Sequence, residues 1–208
     1  MLMGSARSGL LTPQLRSCFD WRRRCYQAAG PRIVRCHRSH SPVRLFTDGA
    51  YERGIVTVGA VLFSDQLRRS QYWGVRVPEE VAAHWKELIH GGQVIGQAEL
   101  LRSALARETW ATALRGASAV QYLDNSSAEM ALVKGYSPSP ASAPLVSRVA
   151  DADVRLGVRS WFGRVPSLSN PADAPSRLDF ASREAEGWEL CPPVVGAWPP
   201  PTEAWASA

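Results

Sequence analysis

Residues 43–63 read VRLFTDGAYERGIVTVGAVLF, and this stretch decides the fold class. Its first part, 43–48, alternates: Phe46 and Asp48 fall on one side of an extended chain, Leu45 and Thr47 on the other. Its last part, 55–63, is rich in β-branched residues and reads as a second strand. The gap between them is too short for a crossover, so the two runs pair antiparallel. A third run, RSQYWGVRV at 69–77, follows after another short gap and extends the meander. Asp48 is out of place in this pattern. A carboxylate ending an apolar strand is costly unless it is paired or metal-bound. The plainer alternative is a strand-end residue before a turn at Gly49.

Downstream the period changes. Pro78, Glu79 and Glu80 open a short helix with Val81, Trp85, Leu88 and Ile89 at helical spacing, and Gly91-Gly92 stops it. Trp85 reads as a packing residue rather than a base-stacking platform. A second helix spans about 96–114, with Ile95, Ala98, Leu101 and Leu105 as its apolar stripe. Glu99 lies on the flank of that stripe, able to face a cleft. SAVQYLD at 118–124 reads as a strand placing Val120, Tyr122 and Asp124 on one face. Ser126-Ser127-Ala128-Glu129 fits a capping box, and the helix it starts ends near Gly135. A weaker helix (145–156) and a strand (158–165) follow. In Asn170-Pro171-Ala172-Asp173, an N-cap residue, a first-turn proline and an acid open a short helical turn. The order implies an α/β domain with a mixed five-stranded sheet flanked by helices, without internal repeats.

The net charge of +5 is unevenly spread. Residues 1–44 carry nine arginines against the single acid Asp20, a net +8, leaving −3 for the remainder. Residues 1–42 therefore read as a basic arm, expected to be disordered and suited to a polyanion such as nucleic acid. The body spans 43–180. Residues 181–208 form a Trp/Pro-rich tail expected to be extended or disordered. Three of the four cysteines, Cys18, Cys25 and Cys36, lie in the arm near His37 and His40, at spacings that match no zinc motif; Cys191 is the fourth. No disulfide framework is implied, and a reducing compartment, cytoplasm or nucleus, is the expected setting. The acid-poor leader also allows organellar import, although Pro13, Asp20 and Gly30 interrupt any amphipathic helix there. No apolar run approaches the roughly 20 residues of a membrane span, so a soluble protein is expected.

Taken singly, each of four acids has an ordinary reading. Asp48 ends a strand, Glu99 is a solvated helix residue, Asp124 precedes a helix, and Asp173 suits a helix N-terminus. Together they form a pattern: two acids end apolar strands, one sits on the helix between them, and one opens a late turn. Hydrolysis of a phosphodiester needs an activated water and a stabilised leaving oxygen, and two divalent ions about 3.5–4 Å apart supply both. Mg²⁺ prefers oxygen ligands and keeps several waters, so a few carboxylates suffice. Without metal, clustered acids repel, and some should titrate high.

The segments LFTDGA (45–50), VIGQAELL (94–101), YLDNSSA (122–128) and RVPSLSNPADAPSRL (164–178) resemble, in order, the four signature regions of the ribonuclease H-like domain of retroelement (reverse transcriptase) polyproteins. The resemblance covers about 43–180 and implies the ribonuclease H-like fold. It implies a metal-dependent endonuclease that hydrolyses the RNA strand of RNA–DNA hybrids, leaving 3′-hydroxyl and 5′-phosphate ends. Carried over residue by residue, Asp48 touches both of two Mg²⁺ ions (Mn²⁺ being an alternative). Glu99 binds one ion near the substrate 2′-hydroxyl, Asp124 is the strand-four ligand, and Asp173 completes the second site. Gly49, Ala50 and Asn125 adjoin these ligands as candidate backbone contacts, with Arg164 and Arg177 as candidate phosphate contacts. Recognition should rest on groove shape and 2′-hydroxyls rather than base edges. A neighbouring reverse transcriptase domain in a parent polyprotein is the implied partner.

The sequence departs from the family in two places. The loop before the fourth acid, Gly163-Arg164-Val165-Pro166-Ser167, lacks the histidine that many relatives use in product release. The helix opened at Pro78, carrying His84 and His90, is an insertion. A catalytically weak, nucleic-acid-binding remnant of a retroelement is therefore the second reading. An exonuclease of the same superfold is disfavoured because Ala50 stands where the second strand-one acid belongs. An integrase is disfavoured because its final acid is typically a glutamate on a late helix.

Overall fold

A two-residue turn organises the sheet. In the computed structural model, which describes residues 12–28, 41–90, 92 and 94–194, β1 (Val43–Glu52) runs straight through Gly49. The chain reverses at Arg53 and Gly54, both with positive φ, into β2 (Ile55–Phe63). Two left-handed residues give the turn the twist of its flanking strands, and glycine adopts that conformation without a steric penalty. β3 (Gln71–Arg76) continues the antiparallel meander. α2 (Glu79–Leu88) buries Val81, Ala82 and Trp85, so Trp85 is a packing residue. α3 (Ile95–Thr109) and the single turn α4 (Ala111–Leu114) occupy the span expected to be one helix, and the break falls at Trp110. β4 (Ser118–Leu123), α5 (Ser126–Lys134), α6 (Ala143–Leu156), β5 (Arg159–Arg164), α7 (Asp173–Ser176), α8 (Ala181–Ala185) and β6 (Glu189–Leu190) complete the order; α1 belongs to a separate unit described below. α5 and α6 each end on a left-handed glycine, Gly135 and Gly157, which costs no Cβ clash.

The sheet order is β5-β4-β1-β2-β3-β6. It has six strands rather than five. The sixth is a two-residue edge strand parallel to β3, within the segment expected to be an extended tail. Cys191 N donates to the Tyr72 carbonyl at 2.9 Å, so the folded body reaches past residue 180. Two residues are too few to carry a period-2 pattern, which is why this strand is invisible in the sequence.

One face of the sheet, with Val43, Leu45, Val58, Ala60, Leu62 and Trp73, packs against α3 in the main core, and α6 packs on α3. The other face carries a smaller cluster of Val61, Tyr72 and Ala172, flanked by Phe46, Phe63, Phe180 and Trp188. α7 lies on this second face with its backbone directly against the strands. A β-carbon at Gly59 would overlap the backbone nitrogen of Ser176, and one at Gly74 the carbonyl oxygen of Pro175. Glycine is required at both positions for close approach.

α5 starts differently from its expected capping box. Asn125, not Ser126, is the N-cap, its Oδ1 accepting from Ser127 N and Ala128 N at 3.0 Å each. Asn125→Ala is therefore expected to cost about 1 kcal/mol, whereas Ser126→Ala should leave the urea midpoint unchanged. Equal effects of the two substitutions would contradict this cap.

The described residues 12–28 belong to a unit separate from the sheet domain. Within it, α1 (Pro13–Ala28) is helical through Asp20, so the interruption expected there does not occur; Gly30 lies outside the described residues. Pro13 sits at the first helical position, where its missing N–H has no intrahelical partner to lose. Cys36, His37, His40, Gly91 and residues 195–208 lie outside the described residues, as do the side chains of Cys18 and Cys25. Among the described residues, no helix is long and apolar enough to cross a membrane.

Candidate active site

The parallel pairing of β1 with β4 stops at Phe46–Tyr122, while β1 itself runs on beside β2 to Glu52, so Asp48 lies within β1 rather than at its end as the sequence suggests. α/β sheets place ligands where such pairing ends. Asp48 lies two residues beyond the last pair on β1, and Asp124 directly follows β4. Glu99 enters from α3, which packs on β1. One carboxylate oxygen from each of Asp48, Glu99 and Asp124 lies within 4.8 Å of the others. Asp48 and Glu99 are buried, and Asp124 is half-buried.

A fourth charged group, Arg102, stands among them. Its side chain is fully buried. Nη1 donates to Glu99 Oε1 at 2.6 Å, and Nη2 forms an ion pair with the same carboxylate. Nη1 is 3.7 Å from Asp48 Oδ1, and Nη2 is 3.6 Å from Asp124 Oδ1. Sequence reading missed this residue. The available signal was spacing: Arg102 lies three residues after Glu99, on the same helix face.

Burial, as the leading cause, raises the Asp48 carboxyl to about 6. Arg102 pulls it down and Asp124 pushes it up, with smaller effects from Ser176 (downward) and Asp173 (upward). Burial also lowers Arg102 to about 10, against the pull of Asp48 and Asp124. Desolvation thus outweighs the ion pairing for both groups.

Asp173 lies outside the three-acid cluster. Its side chain is 46% exposed, and its Oδ1 accepts from Arg177 Nε at 3.2 Å. Arg177 also pairs with Glu52, so in this structure it binds acids. Asp173, chiefly, raises the Arg177 pKa. Ser176 links α7 to the cluster: its Oγ lies 3.0 Å from Asp48 Oδ2 and 2.7 Å from the Asp173 carbonyl oxygen. Its single proton serves one of them at a time.

The loop after β5 is tied down by Asn170, which neither caps α7 nor faces solvent. Asn170 Nδ2 donates to the Thr47 carbonyl and Oδ1 accepts from Ala172 N, both at 3.1 Å. That bond fixes the loop one residue before Asp48. In the position where a histidine was sought, Ser167 Oγ donates to Asp124 Oδ2 at 2.9 Å. Gly49 lines the cluster, since a β-carbon there would sit 3.1 Å from Arg102 Nη1 and 3.6 Å from Glu99 Oε1. Ala50 is 7% exposed. Arg164 is exposed at the end of β5, paired in register with Leu123 beside Asp124.

Beneath the cluster lies a buried polar network. Arg107 donates to Asp153 Oδ1 at 2.6 Å and Oδ2 at 3.3 Å. It also donates to Gln121 Oε1 at 2.7 Å, the Ser103 carbonyl at 3.0 Å and Ser160 Oγ at 3.0 Å. Gln121 Nε2 in turn reaches Ser103 Oγ at 2.7 Å and Thr47 Oγ1 at 3.1 Å. The network joins α3, α6, β4, β5 and β1 immediately beside the acids.

The oxygen-only donor set of Asp48, Glu99 and Asp124 fits a hard divalent cation. Asp124 Oδ1 is buried and has no hydrogen-bond partner among the described residues, leaving lone pairs directed into the cluster.

No family model matches the sequence. No curated protein matches it. Solved structures do. The chain is similar to ribonuclease H1 from the halophilic archaeon Halobacterium salinarum NRC-1, with 19% identity and a TM-score of 0.50 over 68% of this chain and 99% of that one. It also matches the N-terminal RNase H domain of rv2228c from Mycobacterium tuberculosis, at 15% identity and TM-score 0.41 over 71% and 99%. LC11-RNase H1 in complex with an RNA/DNA hybrid matches at 13% identity and TM-score 0.45 over 68% and 99%. The archaeal match carries the assignment, together with the mixed sheet and its flanking helices: the chain has a ribonuclease H-like fold.

Proposed function

We propose that the domain is a metal-dependent endonuclease that hydrolyses the RNA strand of RNA–DNA hybrids, derived from a retroelement polyprotein. The observation that carries this reading is the convergence of Asp48, Glu99 and Asp124 where the pairing of β1 with β4 ends. Four signature-like segments far apart in sequence meet there on a ribonuclease H-like fold.

Asp48, Glu99 and Asp124 would hold a divalent ion, with Asp48 shared toward a second ion at Asp173. Mg²⁺ is the proposed ion and Mn²⁺ the alternative. A bound divalent ion supplies charge neutralisation at the scissile phosphate and an activated water. The chain's own residues supply position. Ser167 orients the Asp124 carboxylate, Ser176 meets Asp48, and Asn170 locks the backbone before Asp48. Arg177 holds Asp173 outside the cluster and must release it for the fourth acid to join. Arg164 and the arginines of the N-terminal arm supply phosphate affinity; Gly49, Ala50 and Asn125 stand beside the ligands, where a sugar–phosphate backbone would pass. A reverse transcriptase domain is the proposed neighbour, and the cytoplasm or nucleus the proposed setting.

The presence of a cation inside the acid cluster favours a second reading, a weak or inactive hybrid-binding remnant. Incubating the purified chain with a labelled RNA–DNA hybrid in Mg²⁺ or Mn²⁺ separates the two. The endonuclease yields internal cuts in the RNA strand with 3′-hydroxyl ends and leaves duplex DNA intact. Hybrid binding without cleavage in either ion selects the remnant.

A further inference from the structure

Arg102 has an unusual placement for a helix arginine. Arginine is seldom fully buried unless paired, and this one lies within 4 Å of all three acids of the cluster. Its Nη1 and Nη2 lie 2.6 Å from Glu99 Oε1, 3.7 Å from Asp48 Oδ1 and 3.6 Å from Asp124 Oδ1. Its Nε has no hydrogen-bond partner among the described residues. The guanidinium is therefore held by the carboxylates rather than by a separate anchor. The backbone leaves room for it: Gly49 lacks the β-carbon that would sit 3.1 Å from Nη1. A planar, weakly hydrated guanidinium spans several carboxylates better than a compact ammonium does.

The same oxygens are the ones a divalent ion would need. The Glu99 oxygen that accepts from the guanidinium is not free to ligate, and a positive charge about 4 Å from the Asp48 and Asp124 oxygens repels an incoming cation strongly in a buried site. We propose that Arg102 is the resident cation of this cluster and competes with a divalent ion for Asp48, Glu99 and Asp124. Loading the site then requires the guanidinium to give up its contacts, and removal of Arg102 raises ion affinity. In the metal-free chain the same residue offsets the mutual repulsion of the acids. Arg102 is thus a positioning residue that sets how readily the site is occupied. This inference rests on the metal-site reading above.

The test measures Mn²⁺ binding to metal-stripped protein by the electron paramagnetic resonance signal of the free ion, without reference to turnover. Arg102→Met should bind at least about tenfold more tightly than wild type. Arg102→Lys, which keeps the charge but loses the fork, should fall between. Asp48→Asn should weaken binding in each background. Melting in EDTA and in Mn²⁺ gives a second readout: the Met variant is less stable than wild type in EDTA and gains more from the ion. Should Arg102→Met not fold in EDTA, the lysine variant carries the decision. Wild-type affinity in every folded Arg102 variant overturns the competition and leaves the metal site standing. Failure of all the proteins to bind Mn²⁺ at millimolar concentration overturns the metal-site reading and this inference with it.

Discussion

Under the proposed endonuclease function, Asp48→Asn is expected to abolish hydrolysis and, in the metal-free protein, to raise stability. The loss should be about a thousandfold or more, because the substitution removes the carboxylate at the centre of the acidic site and with it several kcal/mol of transition-state stabilisation. The gain has a separate origin. Burial raises the Asp48 carboxyl to about 6, above its ordinary value near 4. Between those two values the native state keeps a proton that the unfolded chain has released. Stability therefore falls as pH rises through that window and stays lower above it. An amide carries no such slope. At pH 8 in EDTA the variant should be more stable by on the order of 2–3 kcal/mol, and near pH 4 the two proteins should converge. Urea unfolding at both pH values reads this directly. A variant less stable than wild type at pH 8 would show that the Arg102 contact outweighs the burial of Asp48. A site whose function stores instability is a common stability–activity trade-off.

Arg107→Met should destabilise the fold by about 3 kcal/mol, because it removes a fully buried guanidinium from buried Gln121 and from the partly buried Asp153 and Ser160. Arg107 is 1% exposed. Its loss leaves Gln121 Oε1, the Ser160 hydroxyl and the Asp153 carboxylate without their donor. Pairing the substitution with Asp153→Leu should recover much of the loss, since replacing both members of a buried pair by apolar groups is often neutral. A cost below about 1 kcal/mol for the single variant would mean that water replaces the guanidinium. No recovery in the double variant would mean that the other bonds of the network, not the ion pair, dominate.

These two arginines also mark the boundary of what the sequence discloses. The meander, the strand before Asp124, the helix ending at Gly135 and the mixed sheet are legible because they rest on period, β-branching and glycine. The approach of Asp48, Glu99 and Asp124 is legible because carboxylates in or beside apolar strands are costly without a partner. α3 misleads. Its apolar stripe predicts one wet face, yet every residue from Gln97 to Arg107 is buried, so Arg102 and Arg107 lie inside. Helical spacing cannot separate a polar face turned to solvent from one turned into a polar network. The cap of α5 is ambiguous for another reason: Asn125, Ser126 and Ser127 are all good caps, and only backbone geometry chooses. Asp173 takes the place the sequence gives it on a late turn, but its pairing with Arg177 depends on side-chain directions that no spacing rule contains.

The seat of α7 decides how Ser176 meets Asp48. Where side chains interdigitate, a turn can settle at several depths as rotamers adjust. Over Gly59 and Gly74 the contact is peptide against peptide, and peptides have no rotamers. The seat is a hard stop: the turn is either home or off. Loosening the segment after residue 170 therefore changes the fraction of molecules in which the Ser176 hydroxyl meets Asp48, while the distance in the seated molecules stays constant. Dose, rather than alignment, is what this end of the fold can vary.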